Sequence, residues 1–321
     1  MQETIIQAIS SQLIEQDITH LKGSELVSLK HFSVYTAKAQ QIPNVLLEIG
    51  RLREITYREV GEGTGKSIDI DEFDEDCDHI FIWDTEKKNI VGAYRILSGK
   101  EIMKEKGIGG FYISTLFHFD EKLAPLLAQT LELGRSFIIS EYQKRPTPLF
   151  ILWKALLFSI LNSDARYLLG PVSMSGEASD EAKSLSMIFL QHNYCQYEIA
   201  KYVTPKNEYH PILPKGFNEK SFLEKVGDDF VLLDKHIRNY EDGYTTPTLI
   251  KQYISLLDTT VIGLNVDPDF NNCLDALMLM DLTRAPKATI ENLVKDHPNP
   301  SIFHERLKNI EARTYSNSIA E

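Results

Sequence analysis

Residues 131–173, LELGRSFIISEYQKRPTPLFILWKALLFSILNSDARYLLGPVS, set the strongest constraint on what this chain can fold into. Glu132 and Arg135 sit in a run otherwise composed like a core strand (LELGRSFII). A Pro-punctuated turn, an apolar helix and a second strand ending in Gly-Pro-Val-Ser follow. The pattern predicts a β-turn-α-β unit. An ionised side chain in a half-buried strand costs several kcal/mol unless it is paired or functional, so this unit is the candidate floor of a site. Gly134, between the two charges, marks a bulge or a close approach of backbone to ligand, and a bulge can turn a backbone N–H toward a substrate carbonyl.

With 321 residues the chain can bury a large core without disulfides or metals. Its net charge of −12 and the lack of a basic stripe argue against nucleic acid as a partner, because phosphate contacts need clustered Lys and Arg. Cys77, Cys195 and Cys273 are scattered without ligand spacing, which gives neither a disulfide framework nor a metal site and fits a reducing compartment. The acidic, amphipathic N-terminus is not a secretory signal. The most apolar run, Leu149 to Leu161 with Lys154 inside it, falls short of the roughly 18–20 residues that span a bilayer. A cytoplasmic location is expected, with peripheral contact at the inner membrane left open.

Taken in order, apolar spacing predicts a short amphipathic helix over 3–16, a strand over 31–37 and a helix from Pro43 to Val60 that carries Arg51, Arg53 and Arg58. The loop that follows contains GTGKS, but the first phosphate-loop glycine position is Val60 and the context is helix-then-acidic-loop, so a flexible glycine loop is expected. Residues 79–99 read as a β-hairpin with Arg95 in its second strand, poised to pair with upstream carboxylates or simply solvated. His79 and Asp84 have the spacing of glycerolipid O-acyltransferases, yet residues five apart on a strand point to opposite faces. Ser179 caps a helix. Lys201, Lys206, Lys215 and Lys220 mark a basic loop, which is a docking patch for an acidic partner or ordinary solvated surface. A helix over 247–257, strands over 259–264 and 274–280 and a polar helical tail complete the pattern. The expected organisation is an N-terminal helical segment (1–29), a main domain (30–285) with an insertion at 174–245, and a helical tail (286–321).

This order of elements resembles GNAT-type acyltransferases. The run Asp69-Ile-Asp71-Glu-Phe73-Asp74, then GAYRIL with Arg95, then Glu132-Leu-Gly-Arg135, resembles the acidic, Arg and E-x-x-R signatures of acyl-homoserine-lactone synthases, with Arg51 matching the helix arginine before them. LELGRSFI, LLGPVSMSGEAS and TPTLIKQYISLLDTTVIGLNVDPDFNNCLDALMLMDL look still more like the acyl-carrier-protein-dependent amino-acid N-acyltransferases that make ornithine and glycine lipids, often labelled putative hemolysins.

The resemblance implies an α/β (α+β) GNAT-like fold, a central mixed twisted sheet flanked by helices. It implies transfer of a long-chain (3-hydroxy)acyl group from a thioester to the α-amine of a glycine- or ornithine-type amino acid, with no bound cofactor. It gives Glu132 the role of base, of orienting the amine, or of pinning Arg135 by an ion pair. The backbone around Gly134 would bind the thioester oxygen. Asp71, Asp74 and Arg95 would shape the pocket, Arg51 and Arg135 would take the substrate carboxylate, and Ser173 would complete the substrate site. A coenzyme-A pyrophosphate loop is missing before helix 149–162, where the chain reads EYQKRPTP; this favours acyl-carrier protein as donor, with Lys144, Arg145 and Lys154 as dockers or as plain surface charges. The competing readings are a lactone synthase acting on S-adenosylmethionine and a non-catalytic acyl- or partner-binding module.

Overall fold

A computed structural model describes residues 2–295 together with 297, 299, 301, 302, 305, 306, 308 and 310. Residues 2–10 form no helix, because the Glu3 and Ile6 N–H groups are donated to the carbonyls of Gly65 and Ser67. Helix α1 (Ser11–Thr19) starts where the Ser10 side chain can accept from the Leu13 N–H. The helix predicted over 3–16 therefore begins a full two turns late. Strands β1 (Val27–Leu29) and β2 (Phe32–Lys38) follow, and then α2 (Pro43–Arg58), whose first residue supplies a preset φ. The hairpin β3 (Asp78–Asp84) and β4 (Asn89–Ser98) turns through Lys88 in a left-handed conformation.

Helix α3 (Gly99–Glu105), β5 (Phe117–Phe119) and α4 (Ala124–Leu127) lead into β6 (Thr130–Ile138), α5 (Ser140–Gln143), α6 (Pro146–Leu161) and β7 (Tyr167–Met174). The stretch 174–245, which reads mostly as loop, holds α7 (Asp180–Tyr194), α8 (Tyr197–Ala200), β8 (Val203–Pro205), α9 (Glu219–Val226) and α10 (Phe230–Ile237). Helix α7 is the one expected behind the Ser179 cap, while α8, α9 and α10, of 4, 8 and 8 residues, give too few turns for their periodicity to register. Helix α11 (Thr248–Leu257), β9 (Thr260–Asp267), β10 (Cys273–Asp281) and α12 (Lys287–Val294) close the described chain. Residues 311–321 of the predicted helical tail lie outside the described residues. No helix among the described residues is long and apolar enough to cross a membrane.

Eight strands form one sheet in the order β1-β2-β3-β4-β6-β7-β10-β9. Every neighbouring pair is antiparallel except β6 and β7, whose parallel pairing requires the crossover that α6 provides. Leu131 and Leu133 of β6 pack with Ile151, Leu152 and Ala155 of α6 on one face. On the other, Tyr35, Phe81 and Trp83 meet Val45, Ile49 and Leu52 of α2.

The β6–β7 ladder is short: Thr130↔Tyr167, Leu131↔Leu168 and Glu132↔Leu169, and then the two strands part. At the parting point a Cβ on Gly170 would lie 2.1 Å from the Leu133 carbonyl oxygen, so only glycine lets the strands separate at this angle. Replacing it with Ala should destabilise the protein by about 1–3 kcal/mol, the usual cost of forcing an extra carbon into packed structure. Urea unfolding of Gly170→Ala against wild type measures this.

Candidate active site

The bulge expected at Gly134 is present, and Arg135 is its pivot. Ala93 of β4 pairs with Phe137 and Arg95 pairs with Gly134, so Arg135 and Ser136 together oppose the single residue Tyr94. Arg135 takes φ +52°, a left-handed conformation rare for a side chain of this size and a mark of a backbone held by its surroundings. A Cβ on Gly134 would meet nothing within 4 Å, so the strand faces open space here.

Arg135 is fixed by a buried charge network. Its Nε lies 3.1 Å from Asp69 Oδ2, its Nη1 donates to the Tyr112 hydroxyl at 3.2 Å, and its Nη2 is 3.6 Å from Asp71 Oδ2. The guanidinium lies between the rings of Tyr112 and Phe270, 4.8 and 5.0 Å from their centroids. Asp69 also faces Arg53, whose Nε is 3.3 Å from Asp69 Oδ2; Arg53 further donates to the Asp69 carbonyl and forks onto Asp74 with two bonds of 3.0 Å. Arg95 Nη1 donates to Asp71 at 2.5 Å and sits 3.4 Å from Asp74. Burial alone would raise the Asp74 carboxyl, but Arg53, Arg95 and the Asp71 N–H together outweigh it and hold Asp74 well below the usual carboxylate range. Three arginines thus balance three aspartates in a nearly dry site.

Arg51 takes no part in this network. Its guanidinium forks onto Glu48 at 2.6 and 2.8 Å, one turn back on its own helix. The helix arginine of the network is Arg53, and periodicity could have singled it out: Val45, Ile49 and Arg53 are four apart and share the buried stripe of α2.

Glu132 is also differently employed than the resemblance implies. It lies between its cross-strand neighbours Leu97 and Leu169, on the sheet face covered by residues 111–127, and its carboxylate accepts from the N–H groups of Tyr112 (3.1 Å) and Ile113 (2.7 Å). It does not line the cleft, because the turn at 112–113 covers it and takes both its oxygens, and among the described residues it makes no ion pair with Arg135. Burial raises its carboxyl to about 7. Glu132 holds the turn that presents Tyr112 to Arg95 and Arg135.

Two spaces meet at the bulge. One is a polar cleft of about 990 Å³ whose walls include Glu62, Tyr112, Arg135, Ser173, Asp267 and Asp275. The other is a narrow apolar slot between the parted strands and α6, lined by Trp153, Leu156, Leu157, Met278, Met280 and Leu293. Gly134, Arg135, Ser136, Pro171, Val172 and Leu249 border both. The slot is closed on one side by Tyr94, whose hydroxyl is 2.5 Å from that of Tyr253 on α11.

Ser173 lines the cleft and donates to Asp275 Oδ1 at 2.7 Å. Burial pushes Asp275 up to about 7 and Glu62 up to about 8. Asp275 stands in the apolar run CLDALMLM, so the criterion that picked out Glu132 applies to it equally; Glu62 carries no such signal. The glycine loop that holds Glu62 is tethered rather than loose. Glu54 accepts from Thr64 and Gly65, while Ser175 and Asn271 donate to the Gly61 carbonyl. His79 and Asp84 are separately engaged, with the Asp74 carbonyl and the Tyr142 hydroxyl. Lys144 and Arg145 are exposed, and Arg145 borders the cleft; Lys154 is buried against Phe158 and so is no docking residue.

Residues 52–154 match the family model described as an acetyltransferase (GNAT) domain. A glycine N(alpha)-acyltransferase of Phocaeicola vulgatus is 30% identical over 314 residues, covering 92% of this chain and 95% of that protein. An L-ornithine N(alpha)-acyltransferase of Rhizobium meliloti is 30% identical over 148 residues, 44% of this chain and 48% of that one. A solved CoA-dependent acyl-homoserine lactone synthase, MesI, aligns at 14% identity over 83% of this chain and 95% of its own, with a TM-score of 0.38. The fold is that of a GNAT acyltransferase. Within that class, the chain belongs to the amino-acid N(alpha)-acyltransferase family.

The two helix arginines separate by experiment. Removing one member of a buried ion pair strands its partner and costs about 3–5 kcal/mol, so Arg53→Ala should lose stability on that scale. Arg51→Ala should lose about 1 kcal/mol or less. Denaturant unfolding of the two variants gives both numbers, and equal losses would contradict the network.

Proposed function

We propose that this enzyme transfers a long-chain, 3-hydroxylated acyl group from the thioester of an acyl-carrier protein to the α-amine of glycine, giving an N-acyl amino acid for aminolipid synthesis. One observation carries the reading: a single strand bulge joins an apolar slot to a polar cleft and sets an arginine at the junction. An acyl thioester has the same division, an apolar chain ending at a polar carbonyl. Glycine is favoured as acceptor because the glycine-acylating relative aligns over nearly the whole chain and the ornithine-acylating one over less than half.

The residues fit the steps. The slot runs along α6 from Trp153 to Ile160, roughly 10 Å at 1.5 Å per residue, and accepts the alkyl chain. Past Glu132 the edge of β6 has no partner strand, so backbone N–H groups around the bulge are available to the carbonyl oxygen as it gains negative charge. Arg135 takes the amino acid's carboxylate; its Nη2, with Asp71 beyond hydrogen-bond range, has room for another oxygen.

The donor is read from α6. A helix N-terminus binds a pyrophosphate through its free N–H groups. Here Pro146 and Pro148 occupy the first and third positions and have no N–H to give. Lys144 and Arg145 beside them suit an acidic carrier protein better than a nucleotide.

The test is product analysis by mass spectrometry after incubation with long-chain 3-hydroxyacyl thioesters of carrier protein and of coenzyme A, with glycine, ornithine or S-adenosylmethionine as acceptor. N-acylglycine from the carrier thioester is expected. Conversion with S-adenosylmethionine alone would establish a lactone synthase instead. Arg135→Gly keeps the left-handed backbone while removing the guanidinium. It should lower kcat/KM for glycine roughly 30–150-fold, the loss of about 2–3 kcal/mol from a charged hydrogen bond, mainly through KM.

A further inference from the structure

An amino acid at neutral pH arrives as an ammonium ion without a lone pair, and a proton must leave before nitrogen can attack. Glu132 is buried beneath the turn at 112–113, with both carboxylate oxygens taken by the Tyr112 and Ile113 N–H groups, and does not reach the cleft. Among the other carboxylates bordering the cleft, Glu59, Glu177 and Asp242 are exposed, Glu62 has no side-chain hydrogen bond among the described residues to position it, Glu241 accepts from the Ser179 N–H, and Asp267 accepts from the Asp269 N–H as the cap of a turn. Asp275 differs from all of these. It is 2% exposed, lies on the strand next to β7 and lines the cleft. Oδ1 is held by Ser173, while Oδ2 has no hydrogen-bond partner among the described residues.

We infer that Asp275 is the proton acceptor for the amine of the incoming amino acid, with Ser173 as its positioning residue. The assignment rests on the acyl-transfer reading and supplies the base that Glu132 cannot. Asp275 Oδ2 takes one proton from the ammonium group and later releases it to solvent through the cleft. The freed nitrogen lone pair forms the C–N bond at the thioester carbonyl. As the C–S bond breaks, its electron pair stays on sulfur, and the remaining excess proton on nitrogen passes to that sulfur to give the free thiol. The sum is amide, thiol and one released proton.

Groups from every packed element face Asp275: Ser173 on β7, Asp267 on β9, Arg135 on β6, Glu62 from the loop after α2, Tyr112 from the turn that Glu132 holds, and Cys273 on its own strand. Burial raises its carboxyl to about 7, the Ser173 hydroxyl and Arg135 pull it down, and Asp267 pushes it up. A base ionised just above neutrality is matched to proton transfer at working pH. Burial and then the Asp275 charge raise Glu62 to about 8, so Glu62 stays largely protonated while Asp275 ionises.

The experiment is a pH profile of kcat and KM for glycine, with long-chain 3-hydroxyacyl-carrier protein as donor, for wild type, Asp275→Asn, Ser173→Ala and Asp267→Asn. Wild-type kcat/KM should rise with pH through about 7 as Asp275 ionises. Asp275→Asn should lose that rise and lower kcat by roughly 10²–10⁴-fold with little change in KM. Ser173→Ala removes a bond to the ionised form and should move the rise to higher pH; Asp267→Asn removes a like charge and should move it to lower pH. Opposite displacements by two neighbours are not what a merely structural role, or a fold weakened by the Asn substitution, would produce. An Asp275→Asn enzyme that keeps both the rate and the rise, while wild type forms the amide, would overturn the assignment and leave acyl transfer standing. Unmoved profiles in both neighbour variants would overturn it as well.

Discussion

Asp69 lies between Arg53 and Arg135, and the rest of the site depends on that bridge. It ties α2 to the bulge in β6 through the loop that follows α2 and packs on it at Gly50. Asp71 and Asp74 extend the tie to Arg95 on β4. A charge taken from water into such a place is costly alone, and the network is tolerable because each guanidinium meets carboxylates and the charges sum to zero. Arg135 in turn can hold a backbone angle that it would otherwise avoid.

That strained residue sits where two strands separate. The bulge and the short β6–β7 ladder are parts of one arrangement: a strand that kinks at Arg135 cannot continue to pair with β7, and Gly170 lets the backbones approach closely before they diverge. The gap opens toward α6 as an apolar slot and toward Ser173 and Asp275 as a polar cleft. Substrate halves of opposite polarity can therefore meet at one backbone position. Glu132 supports that position by holding the turn that carries Tyr112 against Arg135.

Much of this was legible in the chain. The charge-bearing strand, its bulge at Gly134, the crossover helix and the carboxylate-rich loop all follow from local pattern, because each breaks an otherwise regular alternation. Three features were harder to read. Which of two arginines turns inward depends on the phase of α2, and Arg51 and Arg53 differ in phase by more than half a turn. What keeps Glu132 from the cleft is the turn at 112–113 packed over its carboxylate, which a strand pattern alone does not reveal. Asp275 comes beside Arg135 through pairing of β10 with β7, across about a hundred residues of intervening chain. Within 174–245 the Ser179 cap marked α7, while α8, α9 and α10 escaped because each is too short to show a period.

The central claim is that the parted strands receive the acyl group with its carbonyl at the Arg135 bulge. A crystal structure with a bound N-acylglycine tests it most directly. The account predicts the alkyl chain between β6 and β7 against Trp153 and Met278, the amide oxygen within hydrogen-bond distance of a backbone N–H of residues 133–137, and the carboxylate on Arg135. A chain bound elsewhere on the protein, with the bulge untouched, would contradict it.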